Sequence, residues 1–191
     1  MSVSQPHTKL LNTAAREVLR PLGVVRKGRS RTWLDDQGWW LGVVEFQPSS
    51  WSRGSYLNVG VTWLWNVHDR VGLDYGGRVP LPDHGQFVEY ENEQQFEPLA
   101  RHLAILAADR VERQRHLFGT LEAAAASLQE TPASDLRGSL DAGVALGLVG
   151  EGGLGAGNVC PVHDLVRVRS KSSGDSSRPI STHADALRAC W

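Results

Sequence analysis

From Leu57 to Val67 the chain alternates without a break: Leu57, Val59, Val61, Trp63, Trp65 and Val67 are large and apolar, and Asn58, Gly60, Thr62, Leu64 and Asn66 separate them. Successive side chains of a strand point to opposite faces, so a period of two over this length predicts a half-buried strand, one face on a core and the other largely polar. The rest of the chain must then supply its neighbours and a cover.

The candidates lie on both sides of it. Val24 to Asp35 reads as a strand rich in charge, Asp36-Gln37-Gly38 as a turn, and Trp39 to Gln47 as an internal strand, apolar on both faces at its start. Gly76-Gly77, Pro80 and Pro82 punctuate two short extended pieces, Arg78 to Leu81 and Phe87 to Tyr90, as expected of an antiparallel edge. Leu10, Leu11, Ala14, Ala15, Val18 and Leu22 recur at helical spacing, which predicts a helix from about Thr8 to Arg20 stopped by Pro21 and Gly23.

Asn92 with Gln95 resembles a capping box, and Pro98 suits a first turn, so a second helix opens between Asn92 and Pro98. Its leucines continue through Ala123 to Ala126, with Gly119 as a break or bend, and Thr131-Pro132 opens a further helix carrying Leu136, Leu140, Val144 and Leu148. From Gly150 the chain turns glycine- and serine-rich, and residues 170–182 are too polar to repay ordering entropy. The expectation is one α+β domain over residues 1–149: an antiparallel sheet of about four strands, with an N-terminal helix and longer C-terminal helices packed on it. Residues 150–191 are expected to be a mostly flexible segment.

Composition narrows the function classes. In 191 residues, 20 Lys and Arg face 21 Asp and Glu, which removes the bulk basic charge of a histone-like or polybasic membrane binder. Charge is nevertheless uneven: residues 1–34 hold seven basic side chains against Glu17 alone, and residues 83–130 hold nine acidic against four basic. Cys160 and Cys190 make no disulfide framework and no paired metal motif, and the start of the chain has no apolar run suited to secretion. No stretch approaches the roughly 20 apolar residues of a membrane span. A cytoplasmic, reduced protein without a membrane partner is expected.

Motifs for chemistry are weak. His68-Asp69, Asp83-His84 and His163-Asp164 are adjacent pairs, and neighbours on a strand face opposite ways, so none chelates unaided. Cys160 with His163 supplies two of the four ligands structural zinc requires. Gly150 to Gly155 formally matches GxGxxG, but helix precedes it where a strand should, so it reads as a linker. No catalytic residue, metal site or cofactor is assigned.

Two groups suit binding. Arg26, Lys27, Arg29 and Arg31 surround Trp33 on a charged edge and could face phosphate. Gln47, Ser49, Ser50 and Trp51 sit where a strand turns back, with Arg53 beside them and Asn58 on the polar face of the next strand. Their amide, hydroxyl, indole and guanidinium groups could fix one polar ligand or a peptide backbone. The bland alternatives are solubility for the arginines, and turn chemistry at Pro48 and Ser49 with Trp51 closing the core.

The segments LRPLGVVRKGRSRTW, VEFQPSSW and SYLNVGVTWLW resemble a bacterial domain family of unknown function, the one numbered four-three-zero-four. The likeness covers about residues 8–128 and rests on Gly28-Arg29 to Trp33, Gln47 to Trp51 and Tyr56 to Gly60. It implies an α+β fold and brings no chemistry. The expected function is a non-catalytic protein-interaction module, for which toxin neutralisation would be one suitable role. The partner is expected to be a protein engaged through Arg29, Arg31, Gln47, Ser49, Ser50, Trp51, Arg53 and Asn58. The alternatives are a nucleic-acid binder using the Arg26 to Arg31 hairpin, and a hydrolase whose His, Asp and Ser residues converge only in three dimensions.

Overall fold

The apolar stripe at Leu11, Ala14, Ala15 and Leu19 is buried along one side of α1 (Pro6–Leu19), where Pro6 suits the first turn by its fixed φ and missing N–H. A 3-10 turn at Arg20–Leu22 ends it, closed by Gly23 in the left-handed region at φ 82°. The computed structural model describes residues 6–67, 69, 71–130 and 136–152. A first compact unit extends to Val149, and the sheet and its helices belong to it. The 170–182 stretch, His68, His163, Asp164 and both cysteines lie outside the described residues.

Six strands follow: β1 (Val25–Arg26), β2 (Thr32–Asp36), β3 (Trp40–Gln47), β4 (Gly54–Trp63), β5 (Tyr75–Val79) and β6 (Phe87–Glu89). They are succeeded by α2 (Glu93–Leu117), α3 (Leu121–Glu130) and α4 (Leu136–Gly152). The order is β1-β2-β3-β4-β5, all pairs antiparallel, and β6 lies on β4 at Gly54–Tyr56 beyond the stretch paired with β5. The architecture is the α+β layering expected, with a larger sheet. The charged strand expected at Val24 to Asp35 is a hairpin instead, because Lys27 N donates to Thr32 O and Gly28 takes a φ of 55°.

Alternation settles which face is inside. Leu57, Val59, Val61 and Trp63 of β4 stand opposite Phe46, Val44, Gly42 and Trp40 of β3, and these residues face the helices. One cluster joins α1 and α2 to the middle of the sheet; the other gathers Trp40, Val61, Trp63 and Phe118 under α3 and α4. Trp40 donates its indole N–H to Phe118 O at 3.0 Å, and Trp39, Trp65 and Trp63 stack with nearly parallel rings. Buried Asp141 of α4 accepts from Trp65 Nε1 at 3.2 Å and Asn66 Nδ2 at 2.8 Å.

Three expectations need correction. The polar face of β4 is covered, with Asn58 8% and Thr62 5% exposed, because Leu73 packs on Gly60 and Thr62 donates to Gly72 O. Trp65 and Val67 lie past the strand, where Leu64 N turns to Trp39 O. Asn92 does cap α2, accepting from Gln95 N at 2.9 Å, so Pro98 falls in the second turn rather than the first. Gly119 stands in the break between α2 and α3.

Candidate functional site

Three segments meet at the end of the sheet where β2 begins and β3 ends. Phe46 N donates to Arg31 O at 3.1 Å, which sets the entry to β2 against β3. Arg31 Nη2 donates to Thr8 Oγ1 at 2.8 Å and thereby joins that strand to the first turn of α1. Tyr90 N donates to Arg53 O at 2.8 Å, which holds the end of the β3–β4 loop against the chain leaving β6. Between them lies a concavity of about 270 Å³, lined by His7, Arg31 and loop residues 48–53.

The loop is shaped by Ser49. Its Oγ accepts from Trp51 N at 3.1 Å and Ser52 N at 3.4 Å, a side-chain turn that suits hydroxyl residues. The result is that Trp51 stands 93% exposed at the rim. It does not close the core, contrary to the bland reading of the sequence. A tryptophan left wholly in water packs against nothing that stabilises the fold, which makes it an available anchor.

The electrostatics of the concavity are one-sided. His7 is 2% exposed, packed on the rings of Tyr90 and Phe96, and burial together with the charges of Arg31 and Arg53 lowers its pKa. It is therefore held neutral. Burial also lowers the pKa of the Arg31 guanidinium, although not enough to discharge an arginine. Arg31 Nη1 and His7 Nδ1 are buried without a hydrogen-bond partner. Among the described residues neither Arg31 nor Arg53 has a carboxylate partner.

The structure brings together Arg31, Ser49, Ser50, Trp51 and Arg53 from the residues singled out in the sequence. It separates the others. Gln47 and Asn58 belong to a network on the sheet face away from the helices, where Asn58 Nδ2 donates to Glu45 Oε2 at 3.0 Å and Gln47 Oε1 at 2.9 Å. Arg78 completes that network, donating to Gln47 Oε1 at 2.9 Å while its guanidinium lies 3.9 Å from the centre of the Tyr56 ring. Arg29 is exposed on the β1–β2 turn outside the concavity, and Arg26 is spent on that turn, donating to Ser30 O and Arg29 O.

His7 was not singled out from the sequence. It reaches the site because α1 crosses the sheet end and places it against Tyr90 and Phe96, contacts no local pattern encodes. Asp83 and His84 are both exposed on a turn where Asp83 takes a φ of 65°. Among the described residues no three His, Cys, Asp or Glu side chains gather to hold a metal. Gly150 and Gly152 fall in the last turn of α4, and the remainder of the GxGxxG match lies outside the described residues.

Fold and site together define a two-layer α+β protein with helices on one face of an antiparallel sheet and a basic concavity at one end. Comparison with protein-family models, with curated proteins and with solved structures returns no match.

Proposed function

We propose that this chain is a non-catalytic recognition module that engages another protein through the Trp51 loop and the concavity beside it. The carrying observation is the 93% exposure of Trp51 on a loop whose turn is held from within. The backbone that carries the indole is already ordered by that turn, and an exposed tryptophan flanked by arginines is the composition of an interface anchor. Neutralisation of a toxin in a bacterial cytoplasm suits this reading; the resemblance of the Gly28 to Trp33, Gln47 to Trp51 and Tyr56 to Gly60 motifs to family four-three-zero-four adds no function of its own. Among the described residues no helix is long and apolar enough to cross a membrane.

A second reading has its own observation. Lys27, Arg29, Arg31 and Arg53 share this end of the sheet, which offers phosphate contacts to a nucleic acid. The experiment is capture of partners from native lysate with the wild-type chain and with Trp51→Ala. Loss of one protein complex on Trp51→Ala is the expected result. Trp51→Ala should leave thermal unfolding within about 0.5 kcal/mol of wild type, the usual range for surface sites. Retention of every complex by Trp51→Ala overturns the reading. Binding to random duplexes that is steep in salt and lost in the Arg29→Glu, Arg31→Glu double variant installs the nucleic-acid alternative.

A further inference from the structure

We infer that the concavity at the first turn of α1 is a binding site for a single phosphate monoester, held by Arg31, Arg53 and His7 with the hydroxyls of the serine loop. The inference rests on the reading of this end of the fold as its recognition surface, and names the chemical group recognised.

The unmet hydrogen-bonding capacity is specific. Arg31 uses Nη2 on Thr8, but Nη1 is buried with no acceptor, and His7 Nδ1 is equally orphaned behind it. Buried polar groups are almost always paired, and a charged donor left without an acceptor is costly, so the wall of the concavity, to which Arg31 and His7 both belong, carries an unmet demand for an acceptor. Two guanidinium groups without carboxylate partners then supply charge-assisted bonds.

Size and charge choose among anions. A concavity of about 270 Å³ has room for a phosphate group together with part of what carries it. A phosphate monoester has three terminal oxygens and a charge near −2 at neutral pH, which matches two guanidinium groups with an imidazole and hydroxyls. A planar monoanionic carboxylate would leave part of that set unused. An extended polyphosphate chain would need a track of cations, yet Arg26 is tied to its own turn and Arg29 lies outside the concavity. Trp51 at the rim is placed to cover whatever carries the phosphate.

The test uses the full chain and four probes: inorganic phosphate, phenyl phosphate, a phosphoserine peptide and a random oligonucleotide, followed by calorimetry and thermal unfolding. Saturable stabilisation by inorganic phosphate is expected, with tighter binding of phenyl phosphate. Arg53→Gln should weaken both by about tenfold or more, as for loss of a charged hydrogen bond, and Arg53→Lys should restore part of it. Trp51→Ala should weaken phenyl phosphate alone. Arg31→Gln is confirmatory, because a part-buried guanidinium also holds α1; the exposed Arg53 keeps the test independent of folding.

Tightest binding of the peptide assigns the phosphate to a modified protein partner, and tightest binding of phenyl phosphate assigns it to a small molecule; each supports the site. No saturable effect up to about 50 mM phosphate, or an unchanged affinity in Arg53→Gln, overturns it. Oligonucleotide binding that exceeds all others with a steep salt dependence also overturns it, in favour of nucleic acid. A Trp51-dependent protein complex without phosphate binding defeats this inference alone, whereas phosphate binding without such a complex defeats the interaction-module reading alone.

Discussion

Arg115→Met separates two contributions that a buried ion pair normally confuses. Asp35 is 2% exposed on the inner face of β2, opposite Gly42. Arg115 reaches it from α2 through two parallel bonds, Nε to Oδ2 at 2.9 Å and Nη2 to Oδ1 at 2.6 Å, and also donates to Leu22 O at 2.7 Å. The hydrogen bonds to Asp35 raise the Arg115 pKa against the opposing effect of burial. In Arg115→Met the stem is replaced by a side chain of similar reach, so packing is largely retained. The buried carboxylate then keeps one side-chain donor, Gln37 Nε2 at 3.0 Å.

Breaking a buried pair in this way costs about 3–5 kcal/mol, a large part of the roughly 5–15 kcal/mol of a typical domain. The reverse change should cost less. In Asp35→Asn the orphan is Arg115, whose side chain is 30% exposed and can turn to water, so about 1–3 kcal/mol is expected. Urea unfolding of both variants and of the double variant measures the asymmetry, with the double costing less than the sum. An Arg115→Met loss below about 1 kcal/mol, or an Asp35→Asn loss as large as that of Arg115→Met, refutes the assignment of the cost to a desolvated carboxylate.

Val61→Asp places an unpaired charge at a position 0% exposed in the middle of β4 and should abolish the cooperative transition; a wild-type thermal midpoint would contradict the strand's orientation. Gly60→Ala brings a Cβ to 2.3 Å from Tyr75 O and 2.9 Å from Leu73, and should cost about 1–3 kcal/mol in urea unfolding through strain rather than lost contacts. The folded pKa of His7 lies below the ordinary 6.5, so below that pH the unfolded chain takes up a proton that the fold refuses. Stability should therefore be full above pH 6.5 and decline as pH falls from there towards the folded pKa, under the influence of Arg31 and Arg53. His7→Phe, which keeps the ring contacts with Tyr90 and Phe96, should flatten that decline in unfolding experiments across the range; an unchanged slope would assign it to other groups.

The features legible in the chain are those written in local periodicity. The alternation of Leu57, Val59, Val61 and Trp63 determines which side of β4 faces the helices, because a one-residue slip would turn all four to the opposite face. Asn92 and Gln95 likewise determine where α2 starts, since a cap needs only three residues of separation. Ser49, Ser50, Trp51 and Arg53 could be proposed as a binding loop because a strand end, a proline and hydroxyls mark a turn without reference to the rest of the fold.

Tertiary structure decided what that loop faces. Only the approach of α1 to the sheet end sets His7 beside Arg31 and leaves the nitrogens of both unpaired, and that approach depends on Tyr90 and Phe96, more than eighty positions away in the sequence. The covering of the polar face of β4 has the same origin: nothing in its alternation reveals that Leu73 returns over Gly60 or that Arg78 and Glu45 meet Asn58. Side-chain direction follows from the local geometry of the backbone, so sequence determines it. Which groups then meet across the fold depends on long-range packing of surfaces, whose energies have no local signature.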